Sequence, residues 1–206
     1  MPKQTFFKLN KEKQEKIITS AIKEFSRVDY DSASINKIIQ LSEISRGSFY
    51  LYFSDKEDLY FYIINLDKKR LFDRIAYLLK RENGNFLNIF EDLFIDIINY
   101  CKNNNYFDFH KKVFLNMRII SEQKYLLKPN ELEKDEILKS LYSNINSNLY
   151  NNHSKEEILE TFKFMMMIMI HSITHYFLNE SDLEEITKKY NYKIKLIKNG
   201  FNERNN

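Results

Sequence analysis

Apolar positions recur every three or four residues along most of the chain, and polar capping residues interrupt them where helices would begin. Residues 1–9 read as a loose arm, with Lys3 and Lys8 available to a phosphate backbone. Asn10 precedes a run whose inward set is Ile17, Ile18, Ala21, Ile22 and Phe25, one face of a helix over about 11–28. Ser34 then caps a short helix that buries Ile35, Ile38 and Ile39. Ser42-Glu43-Ile44 forms a corner with Ile44 as its apolar plug, and Ser45 caps a second short helix over 46–52. In that helix Phe49 and Phe53, four apart, point inward. Ser54 with Glu57 three residues on is a capping box, opening a long helix to about residue 80 through Leu59, Tyr62, Ile63, Leu66, Leu71, Ile75 and Leu79.

Glu82-Asn83-Gly84-Asn85 breaks the pattern. Helices are expected over about 86–102 and 106–121, divided by three asparagines at 103–105, and over about 131–150 after Pro129-Asn130. Two more capping boxes, Ser154 with Glu157 and Ser181 with Glu184, frame helices over about 155–179 and 182–200. The first of these has no Asp, Glu, Lys or Arg between Lys163 and Glu180, and its apolar residues cover every face. A helix apolar all round is buried all round. This one is too short to span a bilayer, so one face is expected on the protein's own core and another on a second copy. The expected homodimer is a four-helix bundle across a two-fold axis, with Phe162, Met166, Ile170, Ile173, Phe177, Ile194 and Ile197 at the interface.

The fold class that follows is all-α, with about nine helices. Only 3 Gly and 2 Pro occur in 206 residues, which argues against a sheet-rich fold and against Gly-rich phosphate loops. The single cysteine, Cys101, forms no intrachain disulfide, fits a reducing cytoplasm and reads as a small buried residue. No apolar run of about 18 residues indicates a membrane span, and the amino end lacks a signal-peptide pattern. Residues 1–56 hold 10 Lys and Arg against 7 Asp and Glu, while the remainder is balanced at 22 each. The whole formal excess of +3 therefore lies in the first quarter, the sign a phosphate-facing surface needs.

Two short helices joined by a tight corner, residues 34–53, are a helix-turn-helix, whose second helix lies in the DNA major groove. Arg46 offers a planar fork of donors suited to a guanine edge, Gly47 lets backbone approach closely, and Ser48 can donate to a base. Tyr50 is placed at base and phosphate range. Ser34, Ser45, Tyr52 and Lys56 complete the expected DNA-facing set, Ser34, Tyr52 and Lys56 as phosphate holders. Lys56 also lies in the first turn of a helix, where backbone amides favour an anion.

Ile44-Ser45-Arg46-Gly47-Ser48, then Phe49-Tyr50-Leu51-Tyr52-Phe53-Ser54-Asp55-Lys56-Glu57-Asp58-Leu59, resemble the signature of the TetR family of transcriptional regulators. Ile17-Ile18 through Ala21 and Phe25, then Tyr30 and Ser34 to Ile38, resemble that family's first two helices. The chain departs from the family where Gly is usual: Asp29 follows the first helix and Glu43 sits in the corner. The resemblance implies a DNA-binding domain over 1–54 and an effector-binding, dimerising body over 55–206. It also implies a palindromic double-stranded operator, a small-molecule effector of unknown identity, and repression released by that effector.

The aromatic and methionine residues of the body could line a mostly apolar cavity, with Phe90, Phe94, Phe114, Met165, Met169, His171 and His175 as its expected lining. For any single one of them, ordinary core is the favoured reading. His171 and His175 are four apart, a spacing compatible with metal ligation, but no third ligand stands out and no metal or other cofactor is expected. No nucleophile–base grouping suggests catalysis. Two rivals stay open: an effector-independent architectural or division-control DNA-binding protein of the same fold, and a helical carrier or enzyme with a vestigial head.

Overall fold

The computed structural model describes residues 1–103, 106–114, 142–179 and 182–202. Among them every regular element is helical. The elements are α1 (Gln4–Phe7), α2 (Lys11–Arg27), α3 (Ile35–Ser42), α4 (Arg46–Tyr52), α5 (Lys56–Arg81), α6 (Phe90–Asn103), α7 (residues 107–114), α8 (Lys155–Asn179) and α9 (Leu183–Asn202). The chain packs as two compact units, Met1–Arg70 with Asn103–Lys112, and Leu71–Lys102 with Val113–Asn206.

The first unit is built around α2 and α3. Asn10 caps α2 by accepting from Lys13 N at 2.9 Å, and Ile17, Ala21, Ile22 and Phe25 are buried, as the periodicity predicts. Ile38, Ile44, Phe49, Phe53, Leu59 and Ile63 complete that core. The amino-terminal arm, expected to be loose, folds into α1. Its Phe6 is fully buried, 4.9 Å from the Phe53 ring and 5.4 Å from Tyr62. Burial of that ring, together with the bonds that Lys3 and Thr5 make to α4 carbonyls, offsets the entropy lost in ordering the arm.

The box that opens α5 is displaced by one residue from the expected Ser54–Glu57 pair. Asp55 accepts from Asp58 N at 2.7 Å, and the Asp58 carboxylate accepts from Ser54 N at 3.1 Å. Aspartate serves the same capping geometry with a shorter arm.

In the second unit the break after α5 is where glycine is required. Gly84 has φ 80°, and a Cβ there would lie 2.6 Å from Asn146 N. A short 3-10 turn, Phe86–Asn88, precedes α6, so the helix expected from residue 86 starts later. The helix expected over 131–150 lies mostly outside the described residues; its last part is a 3-10 turn, Ser147–Tyr150, capped by Asn146. The part of the expected 106–121 helix beyond residue 114 also lies outside them. The Ser154–Glu157 box forms as predicted, at 2.8 and 3.2 Å. Ser181 lies outside the described residues, and Asp182 accepts from Glu184 N at 3.2 Å.

The second core gathers Phe86, Phe90, Phe94, Phe162, Met165, Met169, Ile173, Phe177, Tyr190 and Ile194. Tyr190 stacks on Phe94 at 4.1 Å and donates to the Phe90 carbonyl at 3.0 Å, which satisfies a buried hydroxyl. Burial drives its phenol well above the usual range. Cys101 is buried, as expected.

Candidate nucleic-acid interface

Helix α4 is seven residues long, too short to persist without outside support. Support comes at both ends. At its start Ser45 Oγ accepts from Ser48 N at 3.0 Å. At its end three carbonyls that a helix leaves unpaired receive donors from the arm: Lys3 Nζ to Tyr50 O at 2.8 Å, Thr5 Oγ1 to Leu51 O, and Lys3 N to Tyr52 O at 2.8 Å. Lys3 was expected at a phosphate; its ammonium here caps the helix.

Along its length α4 turns Phe49 into the core and leaves Arg46, Gly47 and Tyr50 in solvent, with Ser48 half-buried. Arg46 Nη1 donates to Asn36 Oδ1 at 2.8 Å, and its guanidinium carbon lies 5.7 Å from the Tyr50 ring centroid. Asn36, Arg46 and Tyr50 thus form one exposed polar and aromatic patch across α3 and α4. Nothing in the sequence pattern singled out Asn36, since its place beside Arg46 comes from the corner. Gly47 is not required by its own surroundings, because a Cβ there would meet only Ser45 Oγ at 3.9 Å.

Three residues expected at phosphate are placed otherwise. Tyr52 is buried, with its ring 6.3 Å from Phe6. Ser34 makes no capping bond with its side chain, and its backbone N–H donates to Glu24 Oε1 at 3.0 Å. Lys56 Nζ donates to the carbonyls of Tyr30 at 2.6 Å, Asp31 at 3.0 Å and Ala33 at 3.0 Å, and lies 4.6 Å from the Tyr30 ring centroid. An ammonium has three donors, so all three are committed within the protein. Spacing placed these residues near the reading helix but not the direction in which they face.

Residues 17–63 match the model for bacterial regulatory proteins of the tetR family, and residues 85–201, more than half the chain, match the tetracyclin repressor-like C-terminal domain. The chain belongs to the TetR family. It is 40% identical over 65 residues to the uncharacterized HTH-type transcriptional regulator YuxN of Bacillus subtilis (strain 168), a match spanning 32% of this chain and 22% of that relative's length. Its fold is similar to that of a TetR family transcriptional regulator from Chloroflexus aurantiacus, with TM-score 0.53 and 19% identity over 97% and 98% of the two chains. It is similar also to that of the fatty acid degradation regulator FadR from Bacillus halodurans, with TM-score 0.59 and 16% identity over 92% and 96%. At these identities the likeness shows the fold.

The two departures from the TetR pattern resolve differently. Glu43 adopts the left-handed conformation, φ 56° and ψ 40°, that glycine would take without strain. Lys16 pairs with its carboxylate at 2.6 Å, on the surface. Asp29 is extended, φ −67° and ψ 156°, so its place asks for no left-handed residue.

In the body of this TetR-family chain the faces of α8 differ from those expected. Phe162, Met166, Ile173, Phe177 and Ile194, expected at a dimer interface, are buried in the protomer's own core, and Ile170 and Ile197 are half-buried. On these two helices the large apolar residues left in solvent are Phe164, Met167 and Leu178 of α8 and Tyr192 and Leu196 of α9. Of the expected pocket lining, Phe90, Phe94, Met165 and Met169 are buried core, and half-buried Phe114 stacks on Phe177 at 5.4 Å. His171 and His175 are exposed on α8. Where every face is apolar, the period cannot say which face turns inward. An open groove between α8 and α9, lined by His153, Glu157, Glu160, Thr161, Phe164, Ile197, Gly200 and Phe201, contains none of the expected pocket residues. Among the described residues no group of three or more His, Cys, Asp or Glu could hold a metal ion, and no helix is long and apolar enough to cross a membrane.

Proposed function

We propose that this TetR-family transcriptional regulator is a cytoplasmic repressor whose homodimer binds a palindromic operator through α4 and is released by a mostly apolar small molecule. Residues 1–54 act as the DNA-binding domain and residues 55–206 as the effector-binding and dimerising body. The observation that carries the reading is the make-up of α4: a helix capped at both ends by the rest of the first unit, with Phe49 and Tyr52 sealed inward, Arg46, Gly47 and Tyr50 exposed and Ser48 half-buried. Arg46 and Ser48 contact base edges, Gly47 permits close approach, and Tyr50 reaches base and phosphate.

One such helix reads a half-site only. A second copy supplies the other, at a spacing of about 34–36 Å for adjacent turns. The exposed Phe164, Met167, Leu178, Tyr192 and Leu196 give a protomer reason to pair. The effector acts by binding one state of the dimer more tightly than the other, and can shift the equilibrium only by that difference. A mobility-shift assay with duplex from the chain's own upstream region tests the reading. Retarded DNA that hydrophobic small molecules release supports it. Absence of any retarded band at low salt contradicts it.

A further inference from the structure

The corner between α2 and α3 is held from two sides by charges of opposite sign. From α2, Glu24 is 1% exposed and accepts the Ser34 N–H at 3.0 Å. Both its oxygens also accept from Arg27, at 2.8 and 2.9 Å. These bonds, Arg27 first, hold the Glu24 carboxyl below the usual range although burial opposes them. From α5, Lys56 takes the carbonyls of Tyr30, Asp31 and Ala33. Four backbone groups within five residues, immediately ahead of α3, are therefore tied to two side chains. The corner has no glycine and no proline to set its shape.

Helix α3 is in turn tied to α4 through Asn36 and Arg46. Lys56 is the first residue of α5, so any displacement of that first turn is passed to three carbonyls of the corner. Ala33 is buried, and withdrawing the ammonium would leave its carbonyl without its charged partner.

We propose that Lys56, with Glu24 as its counterpart, is a positioning residue that sets the angle of α3 and hence of α4, and that it does so without contacting DNA. The proposal rests on the DNA-binding reading for its consequence, but not for its geometry. A lysine on a phosphate and a lysine on three carbonyls differ in a measurable way. The first releases a counterion on binding, and its loss lowers the salt slope by about one. The second leaves the slope alone and changes how well the reading helix fits.

The test uses the full chain and the variants Lys56→Met, Lys56→Arg and Glu24→Gln, below their melting temperatures. Affinity is measured over a salt series for the selected operator duplex and for a random duplex, and amide exchange is measured without DNA. Lys56→Met should lose about tenfold or more in operator affinity, corresponding to about 1.4 kcal/mol. Random-duplex affinity and the salt slope should stay at the wild-type value. Ser34 and the first turn of α3 should exchange faster. Lys56→Arg should recover most of the loss, and Glu24→Gln should reproduce it. A salt slope lower by about one, with equal loss on both duplexes, overturns the proposal. So does an unchanged operator-to-random ratio in a less stable protein, which is the mark of a lysine that only stabilises. If the wild-type chain binds no duplex, the DNA reading fails on its own, and unaltered exchange at Ser34 in Lys56→Met would separately refute the clamp.

Discussion

Helices α4 and α8 make opposite use of their exposed sides. Helix α4 seals Phe49 and Tyr52 inward and shows solvent Arg46, Gly47 and Tyr50, with Leu51 as its one exposed aliphatic side chain. Helix α8 seals Phe162, Met165, Met169, Ile173 and Phe177 inward and still shows solvent Phe164, Met167 and Leu178. On the seven-residue helix a single aliphatic side chain, Leu51, stands among polar and aromatic groups that suit a charged surface. The 25-residue helix leaves three large apolar side chains in solvent beside His171 and His175, an outer side that suits another protein surface. On the proposed reading the first meets a polyanion and the second meets its own copy.

The arm that caps α4 is where this contrast breaks with the largest effect. Phe6→Ala removes a fully buried ring and should cost about 3–5 kcal/mol, lowering the first unit's melting transition steeply. A loose arm would make the same change neutral within about 0.5 kcal/mol in denaturant titration. On the α8 side, Met167→Asp places a charge in the exposed apolar face, where the native side chain is 59% exposed. It should raise the dimer dissociation constant by about a hundredfold, about 2.7 kcal/mol, while protomer stability shifts little. Sedimentation equilibrium reads the first effect and thermal melting the second. The reverse pattern would mean that this face packs within the protomer.

On the α4 side, Arg46→Ala should cost about 1–3 kcal/mol and relax specificity at one base pair of each half-site, as read from a set of single-substitution operators. Uniform loss across that set would place Arg46 on phosphate. The smallest effect belongs to the corner. Glu43→Gly relieves left-handed strain and should stabilise the first unit by about 1 kcal/mol, even though it deletes the surface pair with Lys16. A loss of stability would mean that the Lys16 pair outweighs the backbone term.

Much of the fold can be read from spacing alone. The apolar set of α2, the caps at Asn10, Ser45 and Ser154, and the near-complete bounds of α8 and α9 follow from periods and capping residues. Helix α1 escaped because four residues are too few for a period, and Phe6 gains its place only once Phe53 and Tyr62 are assembled around it. The side of α8 expected at a second copy is buried in the protomer because no Asp, Glu, Lys or Arg marks a solvent side between Lys163 and Glu180, whereas Met165 and Met169 lie inward as expected. Within the reading helix, Arg46, Gly47 and Tyr50 are exposed and Ser48 is half-buried. Tyr52 shares the inward face of α4 with Phe49 three residues before it, and Lys56 faces the α2–α3 corner because the turn at Phe53 redirects the chain. Asn36, Glu24 and Thr5 carry no pattern of their own, since each matters through a partner 10 or more residues away.

The account stands on α4 entering a duplex once per protomer. Selection of bound duplexes from a random library, with the intact chain and with Arg46→Ala side by side, tests that most directly. The account predicts a two-fold symmetric motif whose half-sites lie one helical turn apart, about 10 base pairs, with one position per half-site lost in the variant. An unstructured pool, or a motif that Arg46→Ala leaves intact, would contradict it.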